Sequence, residues 1–181
     1  MSTEMIDYLN YSTNRDTLFY SINQQKSRLN KSFEIPNFDV NKWSVYSDKH
    51  WTNLIFNEKD FPEQGWKIHV SADINEASSL LYDVAEYLIC NEVSFKYVPN
   101  LGALSSKNAK YADRSASGKF ITVYPENNDV FFRLLNDLKE VTKQYELGPY
   151  ILNDQQWQGS NVFFRYGGLK RILTYIDGKK L

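Results

Sequence analysis

Cysteine and histidine are both scarce in this chain. A single cysteine, Cys90, stands among 181 residues, so no internal disulfide can form and the chain suits a reducing compartment. Cys90 falls on an apolar helical pattern and reads as a core residue rather than a nucleophile. With only His50 and His69 besides it, a zinc site of nitrogen and sulfur ligands is not expected. A surplus of charge is lacking too: 21 Lys and Arg against 22 Asp and Glu leave a net charge of −1, which removes the global field that recruits nucleic acid or an acidic membrane. Any anion site must be local. No stretch approaches the roughly 20 apolar residues of a membrane span, and Met1 to Asn10 carries acids without the apolar run of a secretory signal. The expectation is a soluble cytoplasmic chain with neither nucleic acid nor membrane as partner.

What the chain does have is apolar and aromatic residues, at 42% and 15%, a globular rather than a disordered composition. Its length favours one domain over two. Residues 1–60 are polar and aromatic without sustained periodicity, apart from a helix expected across Thr17 to Leu29, and read as an N-terminal elaboration packed on a core of residues 61–181.

The core opens on Trp66-Lys67-Ile68-His69-Val70, where apolar and polar residues alternate as in a strand. Trp66, Ile68 and Val70 then face a core, and Lys67 and His69 stand together on the other side. A cation and an imidazole on one rigid element can present a charge and a titratable proton to one ligand. Asn75 is placed to cap a helix running from about Asn75 to Cys90, with Ala77, Leu80, Leu81, Val84, Ala85 and Leu88 at helical spacing. Val93 to Val98 forms a second strand stopped by Pro99, with Lys96 opposite Phe95 and Tyr97. Leu101 to Tyr111 reads as a short helix or irregular turn.

Ala112 to Lys119 is a loop of small residues whose backbone N–H groups can approach an anion, with Arg114 and Lys119 adding charge. It lacks the spacing of a Walker loop. The strand Phe120 to Tyr124 follows, then a helix capped by Asn127 or Asn128 with Val130, Phe131, Leu134, Leu135, Leu138 and Val141 as its apolar stripe. Gly148-Pro149 turns the chain into Tyr150 to Asp154, and Val162-Phe163-Phe164-Arg165-Tyr166 is the last strong strand. Arginine in so apolar a run calls for an acid, and Asp154 is the candidate partner. The order of elements implies an α+β fold: a mixed or antiparallel twisted sheet with helices packed on it.

Five blocks, in order, carry a resemblance: Trp66 to Ala72, Phe95-Lys96-Tyr97-Val98, Ser117 to Pro125, Gly148 to Leu152 and Phe164 to Gly168. Together they resemble the N-terminal lyase domain of class III lanthipeptide synthetases, which is similar in turn to the phosphothreonine lyase effectors of pathogenic bacteria. The resemblance implies a phosphothreonine-lyase-like fold and β-elimination of phosphate from phosphoserine or phosphothreonine in a precursor peptide with a leader sequence. Dehydroalanine or dehydrobutyrine would result, with no cofactor and no metal. It also implies a chain excised from a larger enzyme whose kinase and cyclase domains are its partners.

Carried over residue by residue, the family's Lys-x-His pair falls on Lys67 and His69, and the lysine of the Phe-Lys block on Lys96. Its phosphate-binding arginines fall on Arg114 and Arg165, its tyrosine on Tyr124, and an acid that orients the last arginine on Asp154. Asp113 and Ser115 flank Arg114 where the family more often has proline and glycine, and Lys110 is an alternative cation there.

Elimination of phosphate needs a base for the Cα proton, an acid for the departing oxygen and fixed positive charge around the phosphate. Lys96 is the expected base, made easier to deprotonate by Lys67, Arg114 and Arg165 and by its aromatic flanks. His69 is the expected acid, protonated mainly when a phosphate dianion lies beside it. Lys67, Arg114, Arg165, Tyr124 and Lys119 are left to hold the phosphate. The rival reading is a phosphopeptide-binding or scaffolding domain that keeps the cations and does no chemistry. Single-stranded nucleic-acid binding through the aromatics is weaker, because the charge is balanced.

Overall fold

Alternation and helical spacing both turn into structure in the computed structural model, which describes residues 27–59, 61–109, 113 and 115–169. Seven strands form one sheet: β1 (Trp43–Ser47), β2 (Thr52–Phe56), β3 (Gln64–Val70), β4 (Phe95–Tyr97), β5 (Ile121–Val123), β6 (Gln155–Gln156) and β7 (Val162–Gly168). Their spatial order is β1-β2-β4-β5-β3-β7-β6, and every pairing is antiparallel. Among the described residues, residues 27–30 are helical and three further helices accompany the sheet: α1 (Ala77–Cys90), α2 (Leu101–Asn108) and α3 (Asn128–Thr142). This is the α+β architecture expected from the order of elements. None of the described helices is long and apolar enough to cross a membrane.

The core lies where the helical stripes meet the apolar side of the strands. Ala77, Leu80, Leu81, Val84, Ala85 and Leu88 of α1 and Leu134, Leu135 and Leu138 of α3 are buried together with Ile68, Val70, Phe95, Ile121 and Val123 of the sheet. Trp66 stacks on Phe131 of α3, with ring centroids 4.7 Å apart. The helix starts differ from one another. Asn127 accepts from Val130 N and caps α3, and Asn100 does the same for α2 with Ala103 N. Asn75 does not cap α1: its own N–H donates to Asp73, Glu76 stands at the cap position, and the Glu76 carboxylate accepts from Glu146 N instead.

Two stretches differ from their expected form. Tyr150 to Asp154, which the element order of the sequence makes the first of two closing strands, is a turn, with Ile151 buried and Tyr150 and Leu152 exposed, and the partner of β7 on that side is the short β6. Residues 43–56 supply β1 and β2, and β2 pairs with β4, so this part of the N-terminal stretch belongs to the same sheet. The helix expected across Thr17 to Leu29 lies largely outside the described residues.

Candidate active site

Register decides which side chains share the face away from the stacked Trp66. His69 of β3 pairs with Thr122 of β5, and Thr122 pairs with Lys96 of β4. Since paired residues point to one side, His69, Thr122 and Lys96 lie abreast, with the first and last about 9–10 Å apart at the backbone. The line continues to Phe163 of β7 beyond His69 and to Asn53 of β2 beyond Lys96. Two residues along β3 on the same face, Lys67 pairs with Arg165. Alternation alone thus brings the expected base, the expected acid and two of the expected phosphate ligands onto one surface.

Asp154 is the hub of the buried end. Its Oδ2 accepts from Nδ1 of His69, and its Oδ1 faces Lys119 Nζ at 3.6 Å and Arg165 Nε at 3.9 Å. These two approaches are ion pairs, and Oδ1 makes no hydrogen bond. The side chains of His69, Lys119 and Asp154 are buried, while that of Arg165 is 42% exposed. Burial would raise the Asp154 pKa, but the hydrogen bond from His69 and the charges of His69, Lys119 and Arg165 outweigh it and hold the carboxyl below its ordinary value. His69 goes the other way. Burial pushes its pKa down from 6.5 to about 4 in spite of Asp154, with Lys119 and Arg165 adding to the fall, so the imidazole is neutral at pH 7. Lys119 is also lowered, first by burial.

The loops that carry this hub are pinned by close backbone approach. Gly148 packs so tightly on Ala72 that a Cβ would come within 2.5 Å of its backbone. The buried Asn161 side chain ties the same loop down, accepting from Gly148 N and Ser71 Oγ and donating to Glu146 O. Gly118, at φ +77°, delivers Lys119 while its N–H donates to Asn108 at the end of α2.

The other predicted residues fall in different surroundings. Tyr124 directly follows β5, its N–H donates to Ser94 O, and its side chain is buried with Ile55, Phe61 and Leu169. Burial raises its pKa, so it remains a neutral phenol. Arg114 and Lys110 lie outside the described residues. Asp113 is described, and both its oxygens are taken by Ser115.

Sequence reasoning missed Lys107 and the contact that it and Lys96 make with Trp51. Trp51 follows the β1–β2 turn, where Asp48 accepts its N–H. Lys96 Nζ lies 4.2 Å from the Trp51 ring centroid, and Lys107 Nζ of α2 lies 3.5 Å from it. Burial lowers the pKa of Lys107 to about 8, with Lys96 and then Lys119 contributing and Asp48 opposing. No local pattern marks Lys107. Its place comes from the packing of α2 across the sheet. Thr122 was also missed, although its position between His69 and Lys96 follows from register once the strand order is known. Among the described residues no group of three or more His, Cys, Asp or Glu is placed to hold a metal ion.

Similarity to known proteins agrees with this architecture. Over 138 residues, 76% of the chain, the sequence is 43% identical to a Streptomyces coelicolor protein named a probable SapB synthase, of which the match takes in 15%. Among solved structures, the type III effector and phosphothreonine lyase OspF of Shigella flexneri superposes with a TM-score of 0.55 at 10% identity, covering 95% of this chain and 92% of OspF. The phosphothreonine lyase effector VirA (SpvC) of Chromobacterium violaceum gives 0.53 at 12% identity, covering 93% and 89%. SpvC from Salmonella, also a phosphothreonine lyase, gives 0.51 at 11% identity, covering 82% and 79%. The fold is therefore that of the phosphothreonine lyases. The family model described as the N-terminal domain of RamC matches residues 33–181, and the chain belongs to that family.

Proposed function

We propose that this chain is a phosphoserine/phosphothreonine lyase. It eliminates phosphate from a phosphorylated precursor peptide without a metal ion and leaves dehydroalanine or dehydrobutyrine, as a step in lanthipeptide biosynthesis. One observation carries the reading: His69, oriented by buried Asp154, lies abreast of Lys96 on a face that also sets Lys67 beside Arg165. Binding a phosphate needs the two cations. It does not need an aligned base and acid.

In this reading the neutral amine of Lys96 takes the Cα proton. The C–H electrons become the Cα=Cβ double bond while the Cβ–O bond breaks, and its electron pair leaves on the phosphate oxygen. The imidazolium of His69 gives that oxygen a proton, so one proton enters at Lys96 and one departs at His69. Because Nδ1 is engaged by Asp154, Nε2 is the nitrogen that meets the substrate. At rest the imidazole is neutral, with a pKa of about 4, and a phosphate dianion against Nε2 favours the protonated form. Lys67 and Arg165 neutralise the developing charge, an effect strengthened where water is excluded. The substrate requires a prior kinase step and the unsaturated product a later cyclase, so kinase and cyclase domains of one longer enzyme are its proposed partners.

The test is mass spectrometry of phosphoserine and phosphothreonine peptides incubated with the protein in chelator. Loss of the mass of phosphoric acid is the expected result. Loss of the mass of HPO3 would mean hydrolysis and end the assignment of Lys96 as a base. A peptide that binds and keeps its mass would make the chain a phosphopeptide-binding module.

A further inference from the structure

Two ammonium groups rest on one aromatic ring in this fold, and they come from different elements. Lys96 projects from β4, Lys107 from the last turn of α2, and both meet Trp51. Each cation gains from the ring face, and together they repel each other in a partly buried place where the repulsion is poorly screened. We propose that Lys107 is a positioning residue for the elimination: it holds Trp51 against Lys96 and, by the like charge it brings to the same ring, makes it easier for the pair to give up a proton. This rests on the reading of Lys96 as the base.

The charges around Lys107 decide whether it can do so. Lys96 faces it from β4 and Lys119 from the loop before β5, and both oppose its protonation. Asp48 faces it from the β1–β2 turn and favours it. The last turn of a helix also favours a cation. Burial and the like charges prevail, which brings the amine to about 8, within reach of neutral pH. A base that must be neutral to act and a neighbour that competes with it for protons form a coupled pair. The first proton leaves such a pair more easily than it leaves an isolated lysine, and the share of that step that falls on Lys96 gives the neutral base.

NMR titration of labelled lysine side chains in the full chain tests this, in the wild type, Lys107→Met and Lys107→Arg. Removing the charge should let Lys96 titrate about one pH unit higher, the size expected for two ammonium groups in contact with one ring. Lys107→Arg, which stays charged at every pH, should move Lys96 the opposite way, to a midpoint below the wild type's. An unmoved Lys96 in Lys107→Met overturns the proposal, as does the same shift in both variants.

Should Lys107→Met fail to fold, the wild type still decides. Coupled amines each show the other's step in their own titration, and two independent single steps overturn the pairing. Turnover gives the second readout. Elimination by Lys107→Met should fall roughly tenfold near pH 7.5 and recover as pH rises by about one unit, whereas Lys107→Arg should show no such loss. A loss that does not depend on pH would reduce Lys107 to a structural role. If the wild type shows no elimination at all, the lyase reading fails while the NMR comparison still tests the amine pair.

Discussion

At the scale of the residue, the buried imidazole and carboxylate make stability depend on pH. His69 binds its proton at about 4 in the folded chain against 6.5 unfolded, so the unfolded state holds more protons between those values and stability falls as pH drops through that window. Asp154 acts in the same direction at the acid end, since its depressed folded pKa means stability lost as pH falls through it. Unfolding free energies obtained from denaturant titrations between pH 7 and pH 4 should decline by roughly 3 kcal/mol on account of His69. His69→Asn should flatten that slope. Asp154→Ala should cost about 3–5 kcal/mol at pH 7, because it leaves Lys119 buried without its counter-charge. In turnover, Lys96→Ala and His69→Ala should each lose at least ~10²-fold with the fold intact by circular dichroism. Arg165→Ala, at a half-exposed position, should also weaken phosphopeptide binding by about tenfold or more in calorimetry.

At the scale of the element, the parts that were legible in sequence are those whose pattern and burial agree. The stripe of α3 faces the core as read and so do Ile68 and Val70 of β3, although His69 on the opposite face is buried as well; Asp154 as the acid near Arg165 followed from the cost of a charge in an apolar run. β1 and β2 were not legible as strands, because β1 has only Trp43 fully buried and β2 has its last three residues all buried. Neither gives a clean period of two. The Asn75 cap failed because Asp73, two residues earlier, took the N–H that starts the turn. Lys107 could not be read at all, since its role depends on where α2 lands. The Gly148 loop shows how an element without regular structure can be the stiffest part of a site. Gly148→Ala, with a Cβ 2.5 Å from backbone atoms, should destabilise by about 1–3 kcal/mol. It should also lower turnover at temperatures where the variant remains folded, because the same loop leads to Asp154.

At the scale of the whole molecule, the sheet ties the two halves of the sequence together through its middle. β3 lies between β5 and β7, and β2 between β1 and β4. Leu54 and Phe56 of β2 are buried in the common core, so a truncated chain beginning at Phe61 should not give a cooperative thermal transition, whereas the full chain should. His69 and Asp154, which share a hydrogen bond, stand 85 positions apart in sequence. Contacts of such separation form late and slowly in folding. During synthesis, a chain that has grown only through β5 already contains Lys96, Lys67 and His69, yet lacks the carboxylate that aims the imidazole. In the proposed reaction, competence therefore arrives only with the closing of the β3–β7 ladder, which also sets Arg165 beside Lys67, so an immature chain should neither hold a phosphopeptide firmly nor act on it.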